Sequence, residues 1–314
     1  MIQSDRRTLL VIRGGALGDV LLTIPVLRFL RDSFPDAVLL LAARMPVANL
    51  LKDCKIVDDI VDLDGNGLLF LYSNKGKGNK LPSFLRPVFK VISFVSDSDG
   101  IMAKNLKEAG IIDFQVIPPP LGETHAVIHF LRQVGCDISD ISKINMSLQL
   151  PQECINRGLK IRNKIGDRIC VIHAGSGSIR KNWPLTNFVR LADIILNNFG
   201  IQPIFTIGEA DSRILDKIKN MQIVHPYVSD LSLQELAGLI NASEFYIGND
   251  SGVTHLAALI GTQVIALFGP TDPKVWGPVG TNVVMIKAMN TGKEDFGLIE
   301  MEKIVSAINS FIKN

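Results

Sequence analysis

Near each end the chain carries an apolar run that stops at a glycine-rich turn and restarts as a helix. At the N-terminal end Leu9-Leu10-Val11-Ile12-Arg13 passes into Gly14-Gly15-Ala16-Leu17-Gly18-Asp19. At the other end Phe245-Tyr246-Ile247-Gly248 passes into Asn249-Asp250-Ser251-Gly252-Val253-Thr254-His255-Leu256-Ala257-Ala258, and Val264-Ile265-Ala266-Leu267-Phe268 lies beyond. A strand, a small polar turn and a helix start leave backbone N–H groups open to an anion such as phosphate. Two such arrangements in two halves point to two sugar-nucleotide-type domains facing one cleft.

The rest of the chain follows the same alternation. Apolar runs predict strands over 8–12, 37–42, 56–63 and 91–95, with helices over 18–33, 47–52, 99–109 and 125–134. Pro25 interrupts the first helix and predicts a kink. The pattern restarts with strands over 168–173, 203–207, 245–248 and 264–268. Its helices are expected over 186–199, 212–219, 233–240, 254–260 and 299–312. A chain of 314 residues exceeds the size of one core, and two domains of about 150 residues each are expected. The boundary falls in the polar stretch after Pro151, giving domains over 1–155 and 156–314. Each half reads as a doubly wound sheet, whose ligands belong at the carboxyl ends of the strands.

Several function classes are excluded. Neither glycine loop has the G-x-G-x-x-G spacing of a nicotinamide dinucleotide site, and no G-x-x-x-x-G-K-[ST] loop of a nucleotide triphosphatase is present. With 33 basic and 31 acidic residues the net charge is only +2, so no bulk field favours nucleic acid. Cys54, Cys136, Cys154 and Cys170 lack any C-x-x-C pairing and read as small buried apolar residues in a reducing cytoplasm. His125 and His129 are four apart but form no H-E-x-x-H, so they read as structural, and no metal site is expected. The apolar run after Arg6 and Arg7 is cut at Arg13, too short for a signal-peptide core, and no run reaches the ~20 residues that span a bilayer. The expectation is a soluble cytoplasmic protein. Its positive mean hydropathy fits either a core-rich α/β enzyme or peripheral membrane contact.

The candidate chemistry sits on the glycine-rich loops. Asp19 opens a helix straight after Gly18, either capping it or taking a proton from an attacking sugar hydroxyl. Gly15 and Gly18 let a ligand approach the backbone. Ser176 lies in the loop Ala174-Gly175-Ser176-Gly177-Ser178, which leads to Arg180 and Lys181. Either cation suits a diphosphate leaving group, and either suits a solvated surface. Trp183 and Pro184 read as packing residues that start the next helix. Ser251, Gly252, Val253 and Thr254 offer N–H groups to phosphate, with His255 in the first helical turn. Asp250 suits either a cap or the hydroxyls of a donor sugar. Glu209, after the strand over 203–207, stands where an acidic side chain commonly holds ribose hydroxyls. The stretch over 72–90 contains Asn74-Lys75-Gly76-Lys77-Gly78-Asn79-Lys80, then Arg86 and Lys90. It reads as a solvated loop or as a clamp for an anionic acceptor.

At these residues the chain resembles the bacterial lipopolysaccharide heptosyltransferases, glycosyltransferase family 9. The resemblance runs through Arg13-Gly14-Gly15-Ala16-Leu17-Gly18-Asp19-Val20-Leu21-Leu22-Thr23-Ile24-Pro25, then His173-Ala174-Gly175-Ser176 to Lys181-Asn182-Trp183-Pro184. It ends with Gly248 to Ala258 and Phe268-Gly269-Pro270-Thr271-Asp272-Pro273, so it covers nearly the whole chain. It implies a GT-B fold of two Rossmann-like doubly wound domains around a central cleft, the first binding the acceptor and the second an ADP-sugar. It implies an inverting reaction that needs no bound metal and no cofactor, and a last helix that returns to the first domain. Asp19 then corresponds to the general base and Lys181 to the cation on the leaving diphosphate. Glu209 corresponds to the ribose contact, and Asp250, Gly252 and His255 to the donor-sugar and phosphate pocket. The expected partners are an ADP-sugar donor and a lipid-linked anionic saccharide acceptor at the cytoplasmic face of the inner membrane, with no nucleic acid. A nucleotide-sugar epimerase on the same scaffold and an inactive sugar-nucleotide-binding protein stand as alternatives.

Overall fold

The computed structural model describes residues 7–73, 85, 87–122, 124–289 and 296–312. It divides into two compact units, Met1–Ile144 and Asn145–Asn314.

In the first unit β1 (Thr8–Ile12) is followed by α1 (Leu17–Leu21), α2 (Ile24–Ser33), β2 (Val38–Ala43), α3 (Met45–Asp53) and β3 (Asp59–Asp62). Then come β4 (Val88–Ser93), α4 (Ile101–Glu108), β5 (Asp113–Val116) and α5 (Ala126–Gln133). The strands form one parallel sheet in the order β3-β2-β1-β4-β5. Every residue of β1 is buried, as a central parallel strand covered on both faces requires. Pro25 breaks the expected long helix in two instead of kinking it. Proline is tolerated in a first turn, and here it stands in the first turn of α2. The basic stretch over 72–90 lies largely outside the described residues; its end enters β4, where Lys90 pairs with Asp113 at 2.8 Å.

The second unit contains α6 (Gln152–Arg162), β6 (Ile169–His173), α7 (Leu185–Phe199), β7 (Gln202–Ile207), α8 (Ser212–Asn220), β8 (Tyr227–Ser229) and α9 (Leu233–Asn241). It continues with β9 (Phe245–Asn249), α10 (Gly252–Leu259), β10 (Val264–Phe268), α11 (Pro273–Trp276), β11 (Val283–Lys287) and α12 (Met301–Ile312). Its parallel sheet runs β11-β10-β9-β6-β7-β8. Alternate residues of each strand feed two cores. Ile172, Phe205 and Ile247 pack with Phe188 and Ile195 of α7. Val171, Ile204 and Tyr246 pack with Leu239 and Ile240 of α9 and Ala257 of α10. The last helix, which the resemblance sends back to the first domain, buries Ile304, Ala307 and Ile308 in the core of the second unit.

The division between units falls before α6, not within it as the break at 155 required. Gly158 of α6 lies directly against Gly238 of α9, a backbone-to-backbone crossing that ties α6 to the second sheet. A Cβ at Gly238 would fall on the carbonyl oxygen of Cys154, which cannot swing away as a side chain would. Gly238→Ala is therefore expected to lower the unfolding free energy by about 1–3 kcal/mol. Chemical denaturation of the full chain checks this; an unchanged midpoint would mean that α6 is not packed there.

In both units the strand order reverses beside the first strand, between β1 and β4 and between β6 and β9. Open α/β sheets bind ligands at that reversal, outside the carboxyl ends of the strands. The candidate residues collect there. Among the described residues no helix is long and apolar enough to cross a membrane.

Candidate functional site

In the first unit the turn after β1 wraps around Asp19. Asp19 is the third residue of α1, and its Oδ2 accepts the N–H of Ala16 at 2.8 Å, so it does cap the helix. Gly15 has φ +101°, and a Cβ there would stand 2.5 Å from Asp19 Oδ2. Glycine is thus required twice, for the left-handed backbone and for the space the carboxylate occupies. The Asp19 side chain remains 41% exposed. Behind it Arg13 donates from Nε to the Asp19 carbonyl at 2.9 Å. Its guanidinium lies over the rings of Phe94 and Phe130 at 4.9 and 5.3 Å. Burial lowers the Arg13 pKa from its ordinary value, and the nearby Asp19 charge opposes that shift.

In the second unit the turns after β6, β9 and β10 are bonded together. Asn249, fully buried, donates from Nδ2 to the Ala174 carbonyl at 2.9 Å and accepts the Trp183 N–H at 3.0 Å. Next to it the buried Asp250 carboxylate takes two donors on Oδ2: Lys181 Nζ at 2.8 Å and the Thr271 hydroxyl at 2.7 Å. Lys287 holds the Thr271 turn by donating to the carbonyls of Gly269 and Thr271. Of the two cations after this loop, Lys181 bonds to Asp250, whereas Arg180 is exposed. Trp183 is buried edge-to-face on Phe188 with centroids 5.0 Å apart, so it packs as expected.

The start of α10 differs in detail from the sequence reading. Ser251 is the cap, and its Oγ accepts the Thr254 N–H at 3.4 Å. Thr254 is itself buried, with its hydroxyl on the Asn249 carbonyl and near Tyr246 Oη at 3.1 Å. The Thr254 N–H is therefore engaged, and the first-turn N–H groups of Gly252 and Val253 are those the helix leaves open. Burial pushes the Tyr246 phenol up, which keeps it neutral beneath this turn. His255 is buried in the same turn. Ser176 bonds within its own loop, with its hydroxyl 2.6 Å from Asn182 Oδ1. Glu209 is exposed at the end of β7, where it opens the short 3-10 turn Glu209–Asp211.

Asn249, Thr271, Lys287, Asp211 and His173 were not singled out as site residues. Asp211, also buried, accepts the Gly208 N–H at 3.0 Å and stands 3.6 Å from His173 Nε2. Burial favours neutral His173, whose Nδ1 is 3.1 Å from the Thr206 carbonyl. Asn249, His173 and Thr271 do stand within the motifs that carry the resemblance, and Asn249 is also an amide ending an apolar run just before a glycine turn. His125 Nδ1 accepts the Val127 N–H and caps α5, while His129 Nε2 meets the Pro118 carbonyl, so both serve the backbone. No disulfide joins the four cysteines, and burial pushes the Cys170 thiol up, away from thiolate chemistry. Among the described residues no three His, Cys, Asp or Glu side chains gather as metal ligands.

Two parallel Rossmann-like units, each reversing its strand order beside its first strand, are the kind of unit from which GT-B folds are built. Comparison with known proteins agrees. A glycosyltransferase family 9 (heptosyltransferase) sequence model matches residues 139–304, just over half of the chain. Lipopolysaccharide heptosyltransferase 3 of Escherichia coli K12 is 24% identical over 309 residues, covering 88% of this chain and 86% of that protein. A family 9 glycosyltransferase from Veillonella parvula superposes with a TM-score of 0.77 at 18% identity, over 98% of this chain and 97% of the other. The E. coli ADP-heptose lipopolysaccharide heptosyltransferase II gives 0.73 at 17% identity, over 98% of both chains. The chain belongs to glycosyltransferase family 9, the heptosyltransferase family, and is a glycosyltransferase.

Proposed function

We propose that the enzyme moves a heptose or related sugar from an ADP-sugar to an anionic, lipid-linked saccharide of the lipopolysaccharide-core type, with inversion at the transferred carbon. The observation that carries this is Lys181 held on Asp250 beside the open start of α10, all at the strand-order reversal of the second unit. A flexible ammonium next to unsatisfied helix N–H groups is suited to the charge that builds on a leaving diphosphate. The names of the relatives support the donor and acceptor classes.

In the reaction an acceptor hydroxyl attacks the anomeric carbon of the donor sugar. Asp19 takes the hydroxyl proton as the new C–O bond forms. The bond from the anomeric carbon to the phosphate oxygen breaks, and ADP leaves with that electron pair. Lys181 and the N–H groups of Gly252 and Val253 receive the diphosphate, while Glu209 holds the ribose hydroxyls. Asp250 and His255 border the donor sugar, with Ser176 and Ser251 on the phosphate side. A lipid-linked acceptor places this work at the cytoplasmic face of the inner membrane.

Calorimetric titration with ADP, UDP and GDP tests the donor. Clear preference for ADP is expected. Preference for UDP would overturn the ADP-sugar reading in favour of an epimerase or another GT-B transferase. No binding of any of the three would leave only the family and the fold.

A further inference from the structure

Arg13 is an unusual residue to bury. Its side chain is 11% exposed, at the end of the central strand of the first sheet. Arginine is seldom this enclosed unless it is paired, because desolvating the guanidinium is costly. The carboxylate of Asp19 lies 3.6 Å from its NH2, too far for a strong bonded pair. What holds the group is different. Phe94 and Phe130 lie under it and meet each other edge-to-face at 5.2 Å, giving a rigid aromatic seat. Its Nε–H goes to the main-chain carbonyl of Asp19. A residue that only filled space at this position would not need five N–H donors.

We propose that Arg13 is a positioning residue for the Asp19 carboxylate, a clamp that closes the 13–19 turn and sets where that carboxylate points. The proposal rests on the reading of Asp19 as the base. Three contacts fix the turn. The Nε–H bond pins the Asp19 backbone, the Ala16 N–H pins Oδ2, and the guanidinium edge borders Oδ1. Oδ1 is then the oxygen left to meet an acceptor hydroxyl. Without Arg13 the helix and its cap persist, but the backbone that carries the carboxylate loses its tie to β1. A base displaced by about 1 Å loses roughly 100-fold in rate, although nothing touching the donor has changed.

The test uses the full chain, ADP-heptose and a lipid A–Kdo core acceptor, with turnover followed as ADP release. Arg13→Met keeps the stem and removes the donors. It is expected to lower kcat about 100-fold, with the donor KM, ADP affinity and unfolding temperature near those of the wild type. Arg13→Lys keeps the charge without the planar fork and should fall between the two. In Arg13→Gly, added methylguanidinium should restore part of kcat, whereas a purely packing role would let an uncharged molecule of similar size, such as N-methylurea, do as well. If Arg13→Met does not fold, Arg13→Lys and the rescue carry the test. Near-wild-type kcat in Arg13→Met, or no rescue of a folded Arg13→Gly, would overturn the clamp. Asp19→Asn run alongside separates the two readings. An inactive Asp19→Asn beside fully active Arg13 variants overturns the clamp alone, whereas an active Asp19→Asn removes the base on which it rests.

Discussion

Asp19→Asn is expected to lower transfer by roughly 10²–10⁴-fold, the range that a positioned general base contributes. The substitution isolates the proton-accepting role because so little else changes. Asparagine keeps the side-chain shape, and its amide oxygen can still accept the Ala16 N–H that Asp19 Oδ2 takes at 2.8 Å. The turn through Gly15 and the start of α1 should therefore survive, with a stability change of a few tenths of a kcal/mol at most. Arg13 loses the charge of a carboxylate 3.6 Å away but keeps its hydrogen bond to the main-chain carbonyl. ADP affinity, assigned to the second unit, should stay at the wild-type value. The measurement is kcat from ADP release, with ADP binding measured on the same preparation. Retained turnover would remove Asp19 as the base and return it to the capping role it already performs.

Much of this architecture was legible in the sequence, and the exceptions share a physical cause. Central strands such as β1 and β10 are apolar on both faces, so they stand out as continuous runs. The edge strands β5, β8 and β11 were not predicted. Asp113-Phe114-Gln115-Val116 and Tyr227-Val228-Ser229 are part polar and part exposed, because an edge strand has one neighbour and less cover. For β3 the predicted run over 56–63 overshot, and only Asp59–Asp62 pairs with β2. In the candidate site the loops were readable because glycine, serine and asparagine mark turns locally. The bonds between those loops were not. Asn249 reaches Ala174 and Asp250 reaches Thr271 only once three separate strands have been laid side by side. Arg13 carried no signal of its own, since it reads as the polar end of a strand until Phe94 and Phe130 are brought under it.

Lys181→Met should reduce kcat by about 10²–10³-fold, comparable to removing one preorganised donor from a site of developing negative charge. Here the ground state complicates the reading in a useful way. Lys181 Nζ is 2.8 Å from Asp250 Oδ2, and the Asp250 side chain is only 6% exposed. Removing the ammonium leaves that carboxylate with the Thr271 hydroxyl and, among the described residues, no ion-pair partner, so stability should fall along with activity. The single variant alone would not distinguish a lost transition-state contact from a disturbed site. Lys181→Met combined with Asp250→Asn, with its turnover compared with that of Asp250→Asn alone, does. The neutral amide no longer needs a cation, so the double variant should recover unfolding stability relative to Lys181→Met while turnover stays low. Recovery of turnover together with stability would show that Lys181 serves only to neutralise Asp250. It would then leave the open N–H groups of Gly252 and Val253 as the main support for the leaving diphosphate.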